Sequence, residues 1–205
     1  MKILFVSDTV MPQLESAANL RRRYNDIELI VSCGDMPPVY LEFITSILNK
    51  PLFYVRGNHD ERYDEYPPGG EDLNNKIVRY KGLTFAGSEG CVNYNNGKIQ
   101  YTEVQMMSMV VRFGPRIGVQ RLRDGHSIDV WVTHSPPRGI HDAEDHAHKG
   151  FKAYLRFLEW YRPRYMVHGH VHTYDRRKVV DTQHLDTRIL NINPITVLDI
   201  DPVEK

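Results

Sequence analysis

Five short stretches of this chain carry side chains of the kind that hold metal ions: Asp8, Gly34-Asp35, Gly57-Asn58-His59-Asp60, His134 and Gly169-His170-Val171-His172. Together they offer carboxylate oxygen, amide oxygen and imidazole nitrogen, with no thiolate. That donor mixture suits Mn, Fe, Zn or Co better than Ca or Mg. One carboxylate set between two nitrogen-rich groups can bridge two ions. Paired ions about 3.5–4 Å apart stabilise the attacking and leaving oxygens of an in-line displacement at phosphorus. Each stretch alone is ordinary, since a lone Asp after a strand is commonly a cap or turn residue and a lone His is commonly packed or solvated. The ordered set is what carries the reading.

These residues need elements to bring them together. Each stretch follows a short apolar run, at residues 2–6, 27–32, 52–55, 128–133 and 165–167. Such runs read as strands buried on both faces. In open α/β sheets ligands bind outside the carboxyl ends of the strands, so five strand ends delivering Asp, Asp, Asn-His, His and His-x-His should converge. Helical spacing covers residues 13–24, 40–48 and 151–161, and also 101–123, where Gly114-Pro115 should kink or split the helix. Strand and helix alternate through the first 60 residues, which predicts βαβ units and a largely parallel sheet. Residues 61–75 and 136–149 read as loops, 77–80 and 83–86 as a hairpin, and 93–97 as a turn. Residues 179–180, 189–191 and 196–200 read as late, antiparallel strands.

Composition bounds the rest. Hydrophobic residues make up 41% and charged residues 25% of 205 positions, which is a globular composition; residues 1–205 are expected to form one domain. Lys plus Arg and Asp plus Glu both count 26, which argues against a general polyanion binder. Cys33 and Cys91 are too few for a disulfide framework. The first apolar run is shorter than the roughly 7–15 residues of a signal-peptide core, and no window reaches the ~20 apolar residues of a membrane span. A cytoplasmic protein with no membrane partner is expected. Seven of the ten histidines lie between His134 and His172.

The order of the five stretches resembles the calcineurin-like metallophosphoesterase superfamily, with His134-Ser135-Pro136-Pro137 and Asn193-Pro194 as smaller agreements. The resemblance implies a four-layered α/β/β/α sandwich of two mixed sheets flanked by helices. It implies a metal-dependent phosphoesterase acting on a phosphodiester or phosphomonoester through a metal-bound hydroxide. By the same resemblance Asp35 bridges two ions, Asp8 and His172 hold the first, and Asn58, His134 and His170 hold the second. His59 stays unliganded beside the phosphate as the catalytic group at the leaving oxygen.

The chain departs from the family pattern twice. The family begins Asp-x-His with that His a ligand, whereas this chain reads Asp8-Thr9-Val10. The first site therefore keeps three protein ligands against four, which predicts weaker binding there and a preference for Mn. His168 is the nearest substitute, with packing beside the sheet as its simpler role. Gly-Asp-x-x-Asp is replaced by Gly34-Asp35-Met36-Pro37-Pro38, which removes the residue that supports the catalytic His; Asp60, next to His59, reads as a turn or cap residue. Arg56 and His148 are candidate substrate contacts, His148 through free N–H groups at the start of the following helix. Two alternatives stand beside the enzyme reading: a metal-binding scaffold or sensor with weakened catalysis, and a nuclease. Substrate identity and oligomeric state are not written in these motifs.

Overall fold

The computed structural model describes residues 1–172 and 179–203. Its layering follows from strands that are apolar on both faces. β1 (Lys2–Val6) sends Ile3 and Phe5 to one side and Leu4 and Val6 to the other, and all four are buried. Side chains alternate across a strand, so both faces of this sheet must be covered. With β2 (Leu29–Ser32), β3 (Leu52–Tyr54), β4 (Glu71–Asp72) and β13 (Ile195–Asp199) it forms a five-stranded sheet in the order β13-β1-β2-β3-β4. A second sheet contains β5 (Ile77–Tyr80), β6 (Leu83–Ser88), β9 (Val130–Thr133), β10 (Tyr165–His168), β11 (Asp181–His184) and β12 (Thr187–Asn191), in the order β11-β12-β10-β9-β6-β5. β7 (Cys91–Val92) and β8 (Gln100–Tyr101) form a separate two-stranded ribbon.

Three apolar cores separate four layers. Phe5, Val31, Phe53, Phe85, Val132 and Val167 fill the space between the sheets. Leu4, Ile30, Leu20 and Ile44 join the first sheet to α1 (Ala17–Arg23) and α2 (Pro38–Leu48). Trp131 and Ile189 meet Phe113 and Phe157 from α3 (Glu103–Asp124) and α4 (Lys152–Tyr161). Trp131 stacks on Phe157 with centroids 3.7 Å apart, and truncating such a buried aromatic costs about 3–5 kcal/mol. The result is the α/β/β/α sandwich of two mixed sheets that the resemblance implied. Among the described residues no helix is long and apolar enough to cross a membrane.

The elements differ from the sequence reading in four places. The expected helix over 13–24 is a 3-10 turn at Pro12–Leu14 followed by α1, because the Ser16 side chain caps α1 by accepting from the Asn19 N–H. α3 runs unbroken through Pro115. That proline lies on the solvent side, opposite buried Phe113 and Ile117, so the bond it lacks leaves only the carbonyl of half-exposed Val111 to water. The 61–75 loop contains a 3-10 turn and β4, which pairs with β3. Val179 is exposed and the late strand starts at Asp181 instead; β12 runs antiparallel to β11 but parallel to β10.

Candidate metal centre

Both sheets deliver residues to one place. Asp8 follows β1, Asp35 follows β2, Asn58 and His59 follow β3, His134 follows β9, and His170 follows β10. Three of these sit in the left-handed backbone region, with φ of 63° at Asp8, 54° at Asp35 and 67° at His170. The conformation is unfavourable for residues with a Cβ, and such local strain gathers at functional sites. The glycines of the motifs are there for space. A Cβ on Gly57 would lie 2.1 Å from Asp35 Oδ1, and one on Gly169 would lie 1.9 Å from Ser7 Oγ and 2.4 Å from Asp8 Oδ2.

Asp35, His134 and His170 place one ligand atom each within 4.8 Å of one another. His134 is fully buried. Its Nδ1 is 2.8 Å from the Cys33 carbonyl, which fixes that nitrogen as the donor and turns Nε2 to Asn58 Oδ1 at 3.1 Å and Asp35 Oδ2 at 3.4 Å. A histidine tied back to a carbonyl in this way is held ready to ligate through its other nitrogen. The Asp8 carboxylate accepts from the His170 N–H at 2.9 and 3.1 Å, and the His59 N–H donates to Asp35 Oδ1 at 2.8 Å. Asp8, Asp35, Asn58, His59, His148, His170 and His172 line a cavity of about 400 Å³ together with Tyr94. His134 lies beneath that lining.

The electrostatics show what the cluster lacks by itself. Nε2 of His134, Oδ1 of Asn58 and Oδ2 of Asp35 all face one another with lone pairs, so a positive charge is needed among them. Without a metal, a proton serves. Burial works to keep the imidazole neutral, but the adjacent Asp35 outweighs it and pushes His134 up to about 9. Burial likewise works to raise Asp35, but the His134 charge and hydrogen bond and the His59 N–H hold it well below the usual carboxylate range. His170 is lowered to about 3 by burial and then by the His134 charge. Burial raises Asp8. The donor set and the demand for a central cation fit a divalent metal among Asp35, Asn58, His134 and His170, with Asp8 and His172 lining the same cavity.

Other residues singled out from the sequence fall elsewhere, or take other partners. Arg56 does not line the cavity; its guanidinium is held by Glu89 at 2.6 and 3.1 Å and by Asp64 at 2.7 Å. His148 does line it, with its ring 5.0 Å from that of His170 and Nδ1 2.8 Å from Asp145 Oδ1. The start of α4 offers no free N–H pair to phosphate, because the Glu103 carboxylate accepts from Lys152 N at 2.8 Å and Ala153 N at 3.1 Å. His168 is buried and pairs its Nε2 with His141 Nδ1 at 3.1 Å, away from the cluster. Val10 packs with the apolar core beside Tyr40 and Phe43. Asp60 is a turn residue: its carboxylate accepts from Asp35 N at 2.7 Å and Gly57 N at 2.8 Å. Pro38 opens α2, where a missing N–H is harmless. The His59 ring has no hydrogen-bond partner among the described residues. Sequence reasoning missed Tyr94, whose hydroxyl takes a 3.4 Å hydrogen bond from Asn58 Nδ2 and so aims Asn58 Oδ1 at His134. Residues 93–97 resemble a loop over the active face, but turn chemistry alone accounts for them, and nothing in the stretch singled out Tyr94.

A family model described as calcineurin-like phosphoesterase matches residues 1–174. No curated protein matches the chain. Among solved structures, TT1561 of Thermus thermophilus superposes with a TM-score of 0.64 at 14% identity, over 94% of this chain and 89% of that one. A protein described as a novel archaeal phosphodiesterase gives 0.45 at 17% identity, over 97% and 93%. Vps29 of Entamoeba histolytica gives 0.48 at 11% identity, over 98% and 87%.

Proposed function

The chain belongs to the calcineurin-like phosphoesterase family, and from that premise we propose that it is a metal-dependent phosphoesterase whose site is the cluster at the five strand ends. The observation that carries the proposal is the convergence of Asp35, His134 and His170 within 4.8 Å, with Asn58 Oδ1 aimed at the same point. Asn58, His134 and His170 would hold one divalent ion, Asp8 and His172 another, and Asp35 would serve both. A bound divalent cation supplies Lewis acidity toward phosphoryl oxygens. The ligand set favours Mn, with Fe, Zn and Co as the other candidates.

The chain's own residues do the rest. His59 sits on the exposed wall of the cavity, with its backbone tied to Asp35, and from there its imidazole reaches a substrate oxygen to stabilise or protonate it. Tyr94 and Cys33 act one step back, by orienting Asn58 and His134. His148, braced by Asp145 and lining the same cavity, contacts the ester. Two observations favour the scaffold reading as the alternative: nothing braces the His59 ring among the described residues, and Val10 packs away in the core. Purified protein assayed with Mn, Fe, Zn and Co on bis(p-nitrophenyl) phosphate and p-nitrophenyl phosphate separates the two. Turnover that EDTA abolishes supports the enzyme. No turnover with any of the four metals rejects it in favour of the scaffold.

A further inference from the structure

On the far side of the second sheet, α3 carries apolar residues on the face turned away from the core. Met106, Val110, Phe113 and Ile117 are buried beneath it. Val104, Val111, Pro115 and Leu122 follow one another at spacings of seven, four and seven residues, a single line along a helix of about 3.6 residues per turn. Val104 is 79% exposed, Val111 54%, Leu122 90%, and neighbouring Val119 65%. A helix that is apolar on opposite faces is normally covered on both. Beside this stripe lies a cavity of about 680 Å³ between α3 and β5. Its walls are Ile77 and Val78 from the strand and Pro115, Arg116, Val119 and Arg123 from the helix.

Three features of this groove say what fits it. β5 ends its sheet, with β6 as its ladder partner among the described residues, so one edge of it faces the groove unpaired. An unpaired edge walled by a helix accepts an extended peptide as an added strand. The lining holds the cations Lys76, Arg116 and Arg123 against the single carboxylate of Glu71, which pairs with Lys76 at 2.8 Å. Arg116 donates to the carbonyl and side-chain oxygens of Asn75, and Arg123 stands 3.6 Å from Asp124; the guanidinium edges left over favour acidic side chains. The apolar lining is aliphatic, with no ring on which a nucleobase would stack. A second copy of this chain is disfavoured as well. Antiparallel pairing of α3 about a two-fold axis sets each flank against itself, bringing Arg112, Arg116 and Arg123 together.

We propose that the groove between α3 and β5 binds an extended segment of a partner protein, one that alternates aliphatic and acidic residues and adds as a strand to the β5 edge. The groove shares no lining residue with the metal cluster and does not depend on the reaction assigned to it. The test is selection of a random dodecapeptide display library on the wild-type protein. Counter-selection uses Val119→Asp and, in parallel, Arg116→Glu, with circular dichroism to establish that both variants fold. The expected result is enrichment of peptides alternating Val, Ile or Leu with Asp or Glu, each binding about tenfold more weakly to either variant. Amide exchange in residues 77–80 should slow when such a peptide is bound. Enriched peptides without acidic residues, peptides that bind the variants equally, or no enrichment would overturn the proposal. A dimer in sedimentation velocity that Val119→Asp dissolves would also overturn it, by giving the face to a second copy.

Discussion

The two halves of the proposed metal centre are built to different standards. On one side Asp35, Asn58 and His134 are locked by partners of their own: the His59 N–H, Tyr94, and the Cys33 carbonyl. Asp60 ties down the turns beneath them through Asp35 N and Gly57 N. On the other side Asp8 is held by the His170 N–H and the Ser7 hydroxyl, and position 10 contributes a valine that packs with Tyr40 and Phe43. A locked ligand set gives up little freedom when an ion arrives, whereas a sparse one must be ordered by it. One half should therefore set the affinity of the centre and the other its lability.

The comparison breaks most readily at Asp35 and His134. Asp35→Asn or His134→Ala should lower hydrolysis of bis(p-nitrophenyl) phosphate by more than the 10–100-fold that loss of an outer-shell group costs. Tyr94→Phe, which unties Asn58 but removes no ligand, should stay inside that range. A Tyr94→Phe rate equal to wild type would show that the dense half owes nothing to its bracing. Next in size is His59→Ala. As a group at the leaving oxygen it should cost about 100-fold in kcat, with metal content measured by elemental analysis unchanged. A rate equal to wild type would assign the His59 ring no chemistry, in keeping with its lack of a brace.

The strand ends, in both halves, are also the part of the molecule that could be read in advance. Asp35, Asn58, His134 and His170 stand directly at strand ends, where a short apolar run and a ligand residue are adjacent in sequence, so position in the chain implies position in space. The layers were legible for a similar reason, because apolar runs buried on both faces demand cover on both. What escaped was decided by residues far apart in sequence. Arg56 looked available until Glu89 folded against it. The start of α4 looked like an anion site until Glu103, from the helix before it, supplied the anion. His168, by contrast, packs beside the sheet as its simpler role had it, and the sequence left open only its partner, His141. α3 survives Pro115 because of which side that proline occupies, and a one-dimensional reading does not give this.

Stoichiometry sharpens the contrast with a smaller effect. After dialysis against metal-free buffer the protein should retain close to one ion per chain, and calorimetric titration with Mn should then show a second site at least about tenfold weaker, a gap of roughly 1.4 kcal/mol. Asp8→Asn should remove the weaker event and spare the tighter one. Two equally tight ions would mean that the sparse half has a ligand beyond Asp8, Asp35 and His172.

The smallest effect concerns the proton that stands in for a cation in the dense half. In the metal-free chain His134 is pushed up to about 9 by Asp35, against an ordinary value of 6.5. A group raised on folding stabilises fully below its unfolded value, and that contribution is lost as pH rises through the folded one. Asp60, raised to about 7 by burial and then by the Asp35 charge, acts in the same direction but is largely ionised above pH 7. Between pH 7 and 9 the Tm of the metal-free protein should therefore fall chiefly because His134 gives up its proton and leaves three lone pairs facing one another. Below 6.5 the sign reverses: His168 and His170, both lowered to about 3 by burial first, stabilise only while uncharged, and stability declines with falling pH. Saturating Mn replaces the proton with a cation that stays bound at high pH, so the decline between 7 and 9 should flatten in the loaded protein, and His134→Asn should flatten it without metal. A Tm that falls equally in all three samples would mean that the charge the cluster demands is met elsewhere, and that the bracing of its dense half serves packing and not a cation.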